Sequence, residues 1–224
     1  CLLGYEARSQ EAEDELAAST KQAESTGDQQ GLCLDQSYRA LRALLMGEPQ
    51  AALEAAHDAM GSWRRSAEET YPNERDRVRV EWLLGCAQVA LAEEQEGEER
   101  DDSLVEAEEH LGRALTRCRS INLVEFEPDI LLAWVRWHRL KKHPEDARTC
   151  AEDALRTADR CEYRLVQADA HNLLARLDLE DGELDAARDH VAKARERAEC
   201  DGKPHWYKPA IDEAERLLGE IGRA

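Results

Sequence analysis

Residues 163–199 read YRLVQADAHNLLARLDLEDGELDAARDHVAKARERAE. Two helical patterns joined by one turn signal account for the whole stretch. The first runs to about residue 181 and carries the apolar pair Leu174-Ala175; Asp181-Gly182-Glu183 then breaks it, because glycine ends one helix and lets the next begin. The second pattern, 183–199, sets Ala187 and Ala194 seven positions apart with Val191 between them at plus four. That spacing puts all three on one helical face, where the small residues admit a close neighbour and the valine fills the gap.

The same triplet recurs upstream as Ala147-Ala151-Ala154, Ala107-Leu111-Ala114 and Ala52-Ala56-Ala59, with a weaker copy at Ala12-Leu16-Ser19. Its starts fall at 12, 52, 107, 147 and 187, so three of the four steps are 40 residues and one is 55. Residues 93–103, EEQEGEERDDS, account for part of the longer step and read as a solvated acidic insertion between two helices, without the ligand spacing of a calcium loop. Each triplet opens a second helix that follows a first helix and a tight turn, such as Met46-Gly47-Glu48-Pro49 or Lys142-His143-Pro144-Glu145. First helices are expected near 29–46, 75–95, 127–142 and 163–181, and their partners near 49–66, 103–120, 144–161 and 183–199. One such pair cannot bury its own apolar face, so neighbouring pairs must stack.

Composition agrees. The 224 residues include a single Phe, 12 Gly and 6 Pro, which leaves little for the strands and turns of an all-β fold. Acidic side chains outnumber basic ones 49 to 30, and the net charge of −19 argues against a nucleic-acid or anionic-membrane surface. No run reaches the ~18 apolar residues of a membrane span, and there is no secretory signal pattern, so a cytoplasmic location is expected. The seven cysteines are odd in number and widely spaced, as reduced thiols acting as small buried hydrophobes would be. Cys1, in place of Met, stands directly before Leu2 and Leu3, which motivates the expectation that the chain belongs to a longer protein.

The pattern resembles the tetratricopeptide repeat family. Leu174-Ala175, Gly182, Ala187 and Ala194 match its first-helix pair, turn and second-helix small sites, and Leu84-Gly85 with Ala107 and Ala114 match in an earlier unit. The period departs from the family's 34 residues, Lys142 replaces the turn glycine, and Trp134-Val135 replaces the Leu-Gly pair. The longer period is similar to the C-terminal repeat arms of bacterial signalling NTPases of the NACHT and NB-ARC type. Residues 200–209, CDGKPHWYKP, before an amphipathic helix, resemble the terminator of such arms.

The resemblance implies an all-α solenoid of antiparallel helical hairpins wound as a right-handed superhelix, in a single domain over 1–224. Residues 9–28 would be the second half of a preceding repeat, 29–66, 75–120, 127–161 and 163–199 the hairpins, and 205–221 a capping helix. It implies a protein-interaction module, the partner-sensing arm of a larger bacterial signalling protein or else a free-standing adaptor. First helices line the concave groove in such stacks. Counted from the Leu-small pair, the groove positions hold Arg79 and Trp82, Arg136 and Arg139, and Asn172 and Arg176, with Tyr38 and Arg42 on the first hairpin. Arginine forks bind carboxylates, so an acidic or C-terminal peptide segment is the expected ligand. The competing expectation is that these arginines pair internally with acids such as Asp129 or Asp169. The family's Lys and Asn carboxylate clamp is unmatched beyond Asn172, so chaperone-tail binding is not implied.

Enzyme signatures are missing: there is no phosphate loop, dinucleotide fingerprint, nucleophile elbow or H-E-x-x-H motif. Cys161 with His171, Cys200 with His205 and Cys150 with His171 are the nearest metal or nucleophile pairs, and all read as packing. No catalysis, cofactor or metal is therefore expected, with a helical thiol or metal enzyme as the competing class. Trp134 is expected in the core, Trp137 with His138 at an edge, and Trp206 and Tyr207 as a seal over the last repeat.

Overall fold

A chain rich in helix formers, punctuated by Gly and Pro at regular intervals, becomes a run of helices joined by short turns. The computed structural model describes residues 9–69, 71–203 and 205–223, and among these are ten α-helices and no strand. The first five are α1 (Ser9–Thr26), α2 (Gln29–Leu45), α3 (Pro49–Glu69), α4 (Glu74–Glu94) and α5 (Gly97–Ser120). The remainder are α6 (Glu127–Leu140), α7 (Pro144–Cys161), α8 (Arg164–Glu180), α9 (Leu184–Ala198) and α10 (Lys208–Ile221). Cys1 and Pro204 lie outside the described residues. None of the helices is long and apolar enough to cross a membrane.

Six helix ends share one backbone device. At residues 27, 47, 122, 142, 162 and 182 the chain turns into the left-handed region, and the following N–H reaches back five residues to a helix carbonyl. Asp28 N donates to Ala23 O, Glu48 N to Ala43 O, His143 N to His138 O and Glu183 N to Asp178 O, each at 2.8–2.9 Å. This closes the helix by satisfying carbonyls that would otherwise lack partners. Glycine occupies the turn at 27, 47 and 182, but Asn122, Lys142 and Glu162 adopt φ of 54–60°. The missing turn glycine at 142 therefore leaves the turn intact, at the modest cost of a side chain in that region. Starts are fixed by Asp28, whose carboxylate accepts from Gly31 N, by Asn73, which accepts from Arg75 N and Asp76 N, and by Pro144 at the head of α7.

The described residues gather into two compact units that divide within α6, between Ala133 and Trp134. In the first, α2 packs on α3 and α4, α3 on α4, and α4 on α5. Its core joins Cys33 and Ala40 to Ala56, Ala59 and Met60 and to Val80, Leu83 and Leu84. At Gly85 α4 lies close against α5: a methyl group there would sit 2.6 Å from Leu111 Cγ. In the second unit, Val135 packs with Ala147, Ala151, Leu174 and Leu177, while α10 lays Ala214, Leu217 and Ile221 on Ala175, Ala187 and Val191.

The small-residue triplets are the buried faces of α3, α5, α7 and α9, as their spacing requires. In α5, α7 and α9 burial runs one turn further than the triplet, to Cys118, Ala158 and Ala198 at plus eleven, whereas the matching position in α3 is the half-buried Trp63.

Three expectations need correction. Residues 93–103 are largely helical: α5 begins at Gly97, and only Gln95 and Glu96 separate it from α4. Glu98 and Glu99 in its first turn favour the positive end of the helix dipole, so acidity that reads as loop is a helix-start signal instead. Trp137 is the buried indole and Trp134 the half-buried one, the reverse of the expected order. The last helix starts at Lys208 rather than 205, after a buried Tyr207 whose hydroxyl donates to Asp169 Oδ2 at 2.9 Å. Trp206 is half-buried beneath the Lys203 ammonium, 4.5 Å from its ring centre.

Candidate functional site

The expected groove residues are mostly occupied by partners of their own. Arg79 Nη1 donates to Asp76 Oδ1 at 2.7 Å, and its guanidinium lies 5.5 Å over the Phe126 ring, against which Trp82 packs edge-on. Arg79 and Trp82 are thus brought together through Phe126, with the cation neutralised. Arg42 pairs with Glu13, and Tyr38 is half-buried. In the second unit Arg139 grips Glu180, and Arg136 is half-buried. Asn172 is buried and donates from Nδ2 to Ala210 O at 2.8 Å. Arg176, with 12% of its side chain exposed, forks onto Glu220 with Glu213 3.6 Å away. Those carboxylates draw the proton more firmly onto the guanidinium although burial opposes it. Asn172 and Arg176 fasten α8 to α10. Reversing the charge at Arg176 would crowd three acids at that contact and so test packing rather than ligand capture.

Two further arginines, Arg64 and Arg77, lie on an open cavity of about 610 Å³ in the first unit. Helix α3 contributes His57, Met60, Gly61 and Arg64; α4 contributes Arg77, Glu81 and Leu84; α5 contributes His110 and Arg113. Spacings of three, four and seven keep each set on one face of its helix. Buried Met60 and Leu84 make an apolar floor. Arg77 is held 5.3 Å over the Trp63 ring, and that indole is fixed by an Nε1–H bond to Asn73 O at 2.9 Å. Neither Arg64 nor Arg77 has an ion-pair partner among the described residues.

Glu81 anchors the polar wall. It is buried, which opposes its charge, but the His110 Nδ1 contact at 2.6 Å and the Arg113 Nε bond at 3.1 Å win, and its carboxyl is held below the usual range. A charged Glu81 can only accept, so the short contact assigns the proton to His110 Nδ1 and leaves the Nε2 lone pair elsewhere on the ring. Arg113 Nη2, 2.9 Å from that same Nδ1, then faces a donor, while Nη1 of the same guanidinium donates to Glu109 Oε2 at 3.3 Å. Arg113 is shared between Glu81 and Glu109, so Arg64 and Arg77 are the cations of the lining without an ion pair among the described residues, and beside the apolar floor they can take a carboxylate.

Sequence reasoning missed this set because it counted positions on the first helices alone, whereas the cavity also uses α3 and α5. The signal was present as His57 with Arg64 at plus seven, and Arg77 with Glu81 and Leu84 at plus four and plus seven.

Two buried thiols, Cys33 and Cys118, are held protonated. Burial pushes Cys33 up to about 12, with the Asp76 charge adding to it, and Cys118 up to about 11. His171, weighed as a partner for Cys150 or Cys161, directs Nδ1 at His190 Nδ1, 2.9 Å away.

No protein-family model matches the chain, and no curated protein matches it in sequence.

Proposed function

We propose that this chain is a helical-repeat binding module of tetratricopeptide-like construction that captures an acidic peptide segment of a partner protein. Within each unit, the order of polar contacts supports hairpin stacking. Along α4, Glu74, Glu81 and Gln88 meet Arg117, His110 and Glu106 of α5 in descending order, as in an antiparallel pair. Along α8, Asp169, Asn172 and Arg176 meet Tyr207 at the head of α10 and then Ala210 and Glu213 within it, in ascending order, as first helices of successive repeats do. The turns at 27 and 47 of the first unit, and at 142, 162 and 182 of the second, fall twenty residues apart and carry the same message.

The observation that carries the ligand class is the pair Arg64 and Arg77, two guanidiniums on the rim of an apolar-floored cavity with no ion-pair partner among the described residues. A carboxylate recovers there the paired hydrogen bonds that Arg176 already makes internally with Glu220. Catalysis is not part of the proposal, since the cavity couples no nucleophile to a base.

A displayed random-peptide panel sorted against the wild-type chain and against Arg64→Glu/Arg77→Glu tests this. Both positions project from helix faces into the cavity, so helicity by circular dichroism should be unchanged. Acidic peptides enriched on the wild type and lost on the double variant are the expected result. Enrichment without acidic bias, or equal enrichment on both proteins, would refute the assignment.

A further inference from the structure

The turn between α6 and α7 gathers three metal-ligating side chains that the sequence spacing alone does not advertise. His138 stands in the last turn of α6, His143 directly before α7, and Asp146 in the first turn of α7. One ligand atom from each lies within 4.8 Å of the other two. We propose that His138, His143 and Asp146 form a zinc-binding site that clamps this turn.

The backbone builds the arrangement before any ion arrives. Lys142, at φ 60°, turns the chain so that His143 N donates to His138 O at 2.9 Å, tying the two histidine residues together. Pro144 then fixes the entry into α7, which sets Asp146 beside them. His143 occupies the cap position without spending its ring on a capping bond. The two imidazoles are tilted by 42° with centroids 6.0 Å apart, converging rather than stacked. Trp137 meets both edge-on, at 5.1 Å and 6.4 Å, and supplies the apolar backing that metal sites use to hold their ligands.

Two imidazole nitrogens and one carboxylate oxygen form a borderline donor set. It suits Zn²⁺ and discriminates against Ca²⁺ and Mg²⁺, which prefer oxygen alone. Bonds of ~2.0–2.1 Å in a tetrahedron place ligand atoms ~3.3 Å apart, so closing from under 4.8 Å needs only side-chain rotation. His143 and Asp146 are exposed and free to make it. Three protein ligands leave the fourth tetrahedral position to water or to a donor from outside the chain.

Titration calorimetry of the full chain with ZnCl₂, under a non-chelating reductant, tests the proposal, with His143→Ala, Asp146→Asn and the distant control His205→Ala alongside. The expected result is one equivalent of Zn²⁺ on the wild type and on His205→Ala, weakened at least ~10-fold in each of the other two. Because both changed residues are exposed, circular dichroism should show an intact fold. Substituted Co²⁺ should give a tetrahedral visible spectrum without thiolate charge-transfer absorption. Absence of binding at a hundredfold excess of zinc, binding unchanged in either ligand variant, or a thiolate band pointing to Cys150, Cys161 or Cys200 would each overturn the site.

Discussion

Acidification should loosen the contact between α8 and α9, and the size of the effect can be worked from one imidazole. His171 is buried, and its Nδ1 faces His190 Nδ1 at 2.9 Å, an arrangement that holds while one nitrogen donates and the other accepts. Burial, then the His190, Lys193 and Arg197 charges, lower it from the ordinary 6.5 to about 4, with Asp159 pulling the other way. His190 is lowered too, by burial and by Lys193 and Arg148, against Asp178 and Asp189. The unfolded segment therefore takes up a proton before the folded one does, so stability falls as pH drops from 6.5 towards 4. With those two values, linkage gives a loss of about 2 kcal/mol between pH 7.5 and 5, or about thirty-fold in the opening equilibrium. Carboxylates such as Glu81 and Glu220, held below their ordinary range, keep their charge above pH 5 and do not contribute in this window. Hydrogen-exchange mass spectrometry on α8 and α9 peptides, corrected for intrinsic rates, reads the opening directly. In His171→Gln the group cannot titrate, so the ratio of wild-type to variant protection should fall about thirty-fold over that range. A ratio that stays constant would refute the idea that burial keeps this imidazole neutral.

Glycine-to-alanine changes should have opposite signs at two helical sites. At Gly85 a methyl group meets the buried Leu111 side chain at 2.6 Å and its backbone N at 3.3 Å, so the variant should lose about 1–2 kcal/mol in urea unfolding; at Gly112, with nothing within 4 Å, it should gain about 0.5–1 kcal/mol. Arg176→Ala should lower stability by about 1–3 kcal/mol, measured as increased exchange in α10 peptides, because the fork onto Glu220 is lost. Thiol labelling followed by peptide mapping should modify Cys150, Cys161 and Cys200 in the native chain but Cys33, Cys86 and Cys118 only after unfolding.

The helix order was legible because two signals of different physical origin agreed. Small residues at zero and plus seven must face a close neighbour, and Gly or Pro must punctuate the helix ends. Together they located helices such as 49–66 and 144–161 close to where they lie. Where only one signal was present the reading failed. In the run 93–103 charge alone suggests a solvated insertion, although a helix start rewards acid in its first turn. Trp134 and Trp137 are identical in type, so only the side of α6 that each occupies separates the buried one from the half-buried one.

Ligand-facing positions obey a different rule from buried ones, and that is why the candidate site was harder to read. A buried alanine is recognisable by itself, since little else fits. An arginine is ambiguous until its partner is known, and on this chain acids are everywhere: Arg79 finds Asp76, Arg139 finds Glu180, and Arg176 finds Glu220. Excess negative charge thus acts as a filter that neutralises most cations wherever an acid falls within reach of a rotamer. Arg64 and Arg77 escape it because the lining of their cavity offers one acid, Glu81, which His110 and Arg113 already hold. The net charge of −19, which excludes nucleic acid at the level of composition, therefore selects where binding capacity survives. An added acid near the cavity should close it: Met60→Glu, which places a carboxylate on its floor beside both guanidiniums, should abolish capture of acidic peptides in the display assay. Capture that persisted in a folded Met60→Glu chain would mean that the unpaired arginines do not define the binding surface.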